Sequence, residues 1–144
     1  MGMLYLLDTN ILVHLARQDA LGQYLHRAYA LLTCEPRPLI SPIVEGELRS
    51  LAYQWQWGRS KKEQARFLLG FFARAPLDDE AVLENYALLD AYCERSGHPM
   101  GKNDLWIAAA ATTFGATLLT IDRDFAPLSP TYLQLALIDP AAAN

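Results

Sequence analysis

The sequence predicts an α/β fold with a mostly parallel central sheet covered on both faces. Three observations carry this. Short apolar runs alternate with segments of helical period along the whole chain. The two clearest runs, residues 4–7 and 116–121, are nearly continuous in apolar character, as strands buried on both sides are. Hydrophobic residues make up 52% of the 144, which suits such a sheet. The length fits a single domain over 1–144 and is enough for a three-layer core.

The first run stops on Asp8, and an amphipathic pattern begins at Ile11. A second helix is expected from Gln18 to about Thr33, with Leu21, Tyr24, Leu25 and Ala28 at helical spacing, before Pro36 and Pro38 break it. Leu39-Ile40-Ser41 reads as a very short strand. Pro42 then opens a helix that runs to Trp57 and ends at Gly58. Ser60 and Glu63 have the spacing of a capping box, and the helix behind them extends to Arg74 with an apolar stripe of Phe67, Leu68, Phe71 and Phe72. Residues 75–77 are read as extended. Asp78-Asp79-Glu80 place acids in the first turn of a helix that continues to Arg95, closed by Ser96-Gly97. After a loop over 98–102, Asn103-Asp104 start an alanine-rich helix that Gly115 stops. The strand over 116–121 ends at Asp122, Pro127 and Pro130 keep the next stretch irregular, and 132–138 form a last strand.

No apolar run reaches the roughly 18 residues that span a bilayer. The N-terminal stretch lacks a basic region and is interrupted by Asp8 and Asn10, so no signal peptide is expected. Cys34 and Cys93 lie far apart without CxxC spacing and read as two reduced thiols in a cytoplasmic protein, with no zinc set among them. The net charge of −4 argues against a general nucleic-acid binder. It does not argue against a nuclease, because carboxylates gathered around a cation lower the formal charge while building the site.

Four carboxylates stand out. Asp8 and Asp122 each follow an apolar strand, where open α/β sheets bind ligands; a turn-forming Asp explains either one alone. Glu47 falls on the stripe of Ile43, Val44, Leu48 and Leu51, while Glu45 points away. A carboxylate there must be paired, protonated or bound to metal, and an ion pair with Arg49 or Arg74 is the simpler account. Asp104 opens a helix, where an N-cap role accounts for it, yet Ile107, Ala108 and Ala111 on its face are apolar and small enough to pack close to a sheet. Together these four could converge at one sheet edge. Like charges so close repel, and a divalent cation resolves them; oxygen ligands select Mg²⁺ or Mn²⁺.

The segments Leu6-Leu7-Asp8-Thr9-Asn10-Ile11-Leu12, Ile40-Ser41 with Glu47-Leu48, Asn103-Asp104-Leu105-Trp106-Ile107-Ala108-Ala109 and Leu119-Thr120-Ile121-Asp122-Arg123-Asp124-Phe125 resemble the PIN domain. The chain looks most like the small single-domain ribonucleases of the VapC type, toxins of toxin–antitoxin pairs. The resemblance covers nearly the whole chain in order. It implies an α/β/α sandwich, a Mg²⁺- or Mn²⁺-dependent endoribonuclease, frequent homodimers and inhibition by a small antitoxin. Asp8, Glu47, Asp104 and Asp122 match the family's acidic quartet, with Asp8 and Asp104 as direct ligands. Thr9, Asn10, Ser41, Asn103, Thr120 and Asp124 would support them. The implied mechanism is in-line attack of activated water on phosphorus, leaving 5′-phosphate and 3′-hydroxyl ends. Val44 departs from the pattern, standing where a small hydroxyl residue is often seen.

Other features are weighed beside this. Lys102, in a loop too short between its glycines for a phosphate loop, reads equally as an RNA contact or a solvated lysine. Arg59, Lys61 and Lys62, with Arg66 and the nearby Trp55 and Trp57, form the densest basic patch; it reads as an RNA surface or, more simply, as a solvated helix start with its tryptophans in the core or a dimer seam. The phenylalanine stripe is core or a groove for an antitoxin segment. His14 reads as a packed or surface residue. The alternatives to a ribonuclease are a catalytically inert PIN-like module that binds RNA or protein, and a phosphatase on a similar sheet; for the latter, Asn10 stands where a second Asp is wanted.

Overall fold

A computed structural model describes residues 2–143. Its centre is a five-stranded parallel sheet: β1 (Tyr5–Leu7), β2 (Leu39–Ile40), β3 (Ala73–Arg74), β4 (Thr117–Thr120) and β5 (Gln134–Leu137), in the order β3-β2-β1-β4-β5. Leu6 pairs with Leu39 on one side and Leu118 on the other. Successive residues of a strand face opposite sides, so the burial of Leu6 and Leu7, and of all four residues of β4, means that both faces are covered. This is the three-layer α/β/α arrangement expected.

The helices are α1 (Thr9–Arg17), α2 (Ala20–Tyr29), α3 (Pro42–Gln54), α4 (Arg59–Phe71), α5 (Glu80–Arg95) and α6 (Lys102–Thr113). Short 3₁₀ segments cover Arg123–Leu128 and Pro140–Ala143. The apolar, small face of α6 buries Ile107, Ala108 and Ala111 completely, so this helix lies close to the sheet. Asp8, Asp19, Ser41 and Asp79 cap α1, α2, α3 and α5 with side-chain oxygens. Among the described residues no helix is long and apolar enough to cross a membrane.

Several expectations need correction. The second helix ends at Tyr29 rather than Thr33, because Ala30 turns left-handed and its N–H caps the His26 carbonyl. The Pro42 helix stops at Gln54. Ser60 does not form a capping box: α4 is capped two residues earlier, at Gly58, and Glu63 reaches back instead to the Arg59 guanidinium at 2.9 Å. The helix does not extend to Arg74 either. Residues 73–74 pair with β2 as an edge strand, so the chain turns at Phe72. The phenylalanine stripe therefore divides: Leu68 and Phe72 are core, while Phe67 is exposed and stacks on Phe71 at 5.9 Å. The stretch after Asp122 is a 3₁₀ helix rather than irregular, and it buries Phe125 and Leu128.

Candidate active site

The chain builds β2 and β3 on one side of β1, then returns to lay β4 on the other. The order reverses between β1 and β4, and a crevice opens outside their carboxyl ends. Asp8 follows β1 and Asp122 follows β4, so the two carboxylates face this switch point. Glu47 arrives from the second turn of α3 and Asp104 from the first turn of α6. All four line one open cleft of about 580 Å³.

Asp8 is the most enclosed, at 5% exposure. One oxygen caps α1 by accepting from the Thr9 N–H at 2.8 Å. The other accepts from the Thr120 hydroxyl at 2.7 Å and the Asn10 amide at 3.2 Å. Thr120 also accepts from the Asp122 N–H at 3.0 Å, and the Asn10 carbonyl oxygen accepts from the Ile121 N–H at 3.3 Å. Asn10 and Thr120 thus clamp the start of α1 to the end of β4. Burial pushes the Asp8 carboxyl above its ordinary value, and the charges of Glu47 and Asp122 push the same way against the Thr120 and Thr9 hydrogen bonds.

Among the described residues Glu47 makes no ion pair. It accepts from the Thr9 hydroxyl and, at 3.2 Å, from the Asn103 amide. The arginines the sequence offered it go to Glu45 instead, Arg74 at 2.6 Å and Arg49 at 3.2 Å. Glu45 is accordingly well covered, not turned outward as its helical position suggested. Val44 is fully buried in the core; Thr9 and Asn103 supply the polar support that Val44 lacks.

Asp104 does not cap its helix. Gly101 occupies that position, and among the described residues the Asp104 carboxylate has no hydrogen-bond donor and no cation. Its carboxyl is pushed up to about 6 by partial burial and by the charges of Asp8, Asp122, Glu47 and Asp124. Asp122 does serve a turn, accepting from the Asp124 N–H at 2.9 Å, while it lines the cleft.

The donor set is all oxygen, mutually repelling and, among the described residues, without a paired cation, which fits a hard divalent ion. Among the described residues no three acidic, histidine or cysteine side chains are gathered closely enough to hold an ion as they stand. Mg²⁺ tolerates this, since it keeps several waters and takes only one or two protein carboxylates directly.

The remaining expected residues fall elsewhere. Ser41 is buried and caps α3 at the Ile43 N–H, 3.0 Å away, so it positions Glu47's helix without touching the cluster. Asp124 is exposed and lines a neighbouring hollow with Asp104 and His98. Arg59, Lys61, Lys62 and Lys102 do not line the acidic cleft. Lys102 pairs with Asp90 at 3.3 Å. The cleft wall instead carries His14, Arg17 and Trp55, which sequence spacing did not single out as a group.

Replacing Thr120 by Val keeps the shape but removes the donor to a buried carboxylate. The expected cost is about 1.5–3 kcal/mol, read as a lower melting temperature. An unchanged melting curve would show that the Thr120 bond contributes nothing.

The sequence matches the PIN domain family over residues 5–129. Ribonuclease VapC1 of Haemophilus influenzae strain R2866 is 29% identical over 118 residues, covering 82% of this chain and 86% of that protein. Among solved structures, VapBC2 from Rickettsia felis bound to a DNA fragment from their promoter superposes with a TM-score of 0.78 at 25% identity, over 95% of this chain and 100% of that one. VapBC-1 from nontypeable Haemophilus influenzae gives a TM-score of 0.76 at 26% identity, over 94% and 98%. With the family match spanning most of its length and both halves of its acidic cleft, the chain belongs to the PIN domain family.

Proposed function

We propose that this chain is a Mg²⁺- or Mn²⁺-dependent endoribonuclease, the toxin of a toxin–antitoxin pair, and that Asp8, Glu47, Asp104 and Asp122 hold the cation. The observation that carries the reading is the meeting of four carboxylates, from four separate segments, in one cleft with no paired cation among the described residues. Ribonuclease activity is carried over from the Haemophilus relative, and pairing with a small antitoxin from the VapBC assemblies.

In this mechanism Asp8 and Asp104 are the direct ligands, and Glu47 and Asp122 hold the ion directly or through water. The cation, when bound, activates water and offsets charge building on the phosphodiester. The protein's part is to fix the carboxylates beforehand. Thr120 and Asn10 hold one Asp8 oxygen, and Thr9 and Asn103 aim Glu47 into the cleft. The Thr120 and Thr9 hydrogen bonds favour the charged form of Asp8 against the burial that pushes its carboxyl up. The exposed Phe67 and its stacked neighbour Phe71 offer an apolar surface for an antitoxin segment; Phe72, being core, has no part in it. The proposed protein is cytoplasmic and homodimeric.

RNA incubated with the chain and Mg²⁺ or Mn²⁺ is expected to be cut internally, with full loss of cutting in excess chelator. Chelator-resistant cleavage would overturn the metal site. A second reading, a PIN-like module that binds without cutting, draws on the absence of a ready three-ligand group among the described residues. Absence of cleavage with retained RNA or protein binding would favour it.

A further inference from the structure

The acidic cleft continues as a groove between α1 and α3, and its far end differs in chemistry from its near end. Asn10 and Glu47 sit in the early turns of these two helices; Arg17 ends α1 and Trp55 follows α3. Seven and eight residues separate the pairs, about 10–12 Å of helix. Arg17 is the only Arg or Lys among the described residues that line the cleft. Its guanidinium carbon stands 4.5 Å from the centre of the Trp55 ring, and among the described residues it makes no hydrogen bond or ion pair. Trp55 is 44% exposed. The buried Trp57 packs beside it, ring centres 6.0 Å apart and tilted by 45°.

An exposed indole held in place is a stacking surface, and a guanidinium with open donors is a phosphate contact. The separation from the carboxylates is too long for Arg17 to reach the phosphate being cut. It suits the next stretch of a strand lying along the groove. Base stacking on Trp55 requires an unstacked base, so the strand there is single.

Resting on the ribonuclease reading, we infer that Arg17 and Trp55 form a positioning subsite for single-stranded RNA, Arg17 taking a phosphate neighbouring the scissile one and Trp55 stacking its base. This places the strand-binding surface on the cleft wall. The basic start of α4 is not needed for it: Arg59 is paired with Glu63, and Lys62 lies over Tyr53 at 5.6 Å.

The test uses the full chain carrying Asp104→Asn, so that RNA is bound without being cut. A fluorescein-labelled single-stranded RNA is titrated in Mg²⁺ over a series of KCl concentrations and followed by anisotropy. Adding Arg17→Ala is expected to weaken binding and to lower the slope of log affinity against log salt by about 0.7, the share of one phosphate on a single strand. Arg17→Lys should restore the slope. Trp55→Ala is expected to weaken binding roughly five- to a hundredfold with the slope unchanged, and Trp55→Phe to recover most of it. A general loss of fold would not divide in this way between slope and affinity. If Arg17→Ala and Trp55→Ala bind like their parent while the wild-type chain cleaves RNA, this inference is overturned and the ribonuclease reading stands. A wild-type chain that neither binds nor cleaves RNA overturns both.

Discussion

Asp104→Asn is expected to abolish cation-dependent RNA cleavage and, in the metal-free protein at neutral pH, to raise the melting temperature. Loss of one preorganised electrostatic group typically costs about 10²–10³ in rate, and a direct ligand should cost at least that. The stability gain follows from the same residue. In the fold Asp104 holds its proton up to about 6, against 3.8 for the free side chain. Between those values the native state binds more protons than the unfolded chain, so the stability of the metal-free protein falls as pH rises through the window. Above it the ionised Asp104 is at its most unfavourable. Asn carries no charge, so the melting-temperature difference between variant and wild type should be near zero around pH 4 and full by about pH 7.5. Added Mn²⁺ should raise the wild-type melting temperature and have little effect on the variant. Calorimetry in chelator and in Mn²⁺ at the two pH values checks both signs. A variant less stable than wild type at neutral pH in chelator would sink the idea that Asp104 is held under repulsion.

Gly22→Ala should be the most damaging single methyl in the molecule. Gly22 lies in the first turn of α2, donates its N–H to Asp19 at 2.9 Å, and backs onto the His14 carbonyl of α1. An added Cβ would lie well inside van der Waals contact of that carbonyl's oxygen and carbon, and backbone cannot rotate aside. Asp19 fixes the corner further. Burial pushes its carboxyl up, but the Gly22 N–H, His14 at 2.8 Å and the Arg17 charge outweigh this and hold it low. The expected loss is roughly 2–4 kcal/mol, about 3 °C of melting temperature per kcal/mol, with a parallel fall in cleavage because α1 carries Thr9 and Asn10. The contrast is Gly70→Ala on α4, where a Cβ meets nothing within 4 Å. There the helix propensity of Ala should stabilise by up to about 1 kcal/mol. Equal effects at the two glycines would refute the steric argument.

Much of the site could be read from the sequence because its two central strands announce themselves. β1 and β4 are largely buried on both faces, so their runs are nearly continuous in apolar character, and the acid that follows each run is conspicuous. β3 was hidden for the opposite reason. Two edge residues, Ala73 and Arg74, carry no period of their own, and the pattern of α4 runs straight over them. That omission also misdirected Arg74, whose approach to Glu45 across 29 positions depends on β3 being a strand. The capping-box spacing at Ser60 was real, but it did not fix where the helix begins, since Gly58 could start it without a side-chain bond. Arg17 and Trp55 were each visible as residues; that the last turns of two helices bring them together is a matter of packing.

The Asn10–Thr120 clamp has a consequence for when the cleft becomes complete. Asp8 and the Thr120 hydroxyl that holds it are 112 positions apart. A chain emerging from the ribosome displays Asp8, Glu47 and then Asp104 before β4 and Asp122 are made. Until β4 slots beside β1, Asp122 and the Thr120 clamp are missing, and no partial chain up to α6 carries a complete cleft. If the chain is the ribonuclease proposed here, its own translation is protected by topology: the last central strand to be made is the one that arms it.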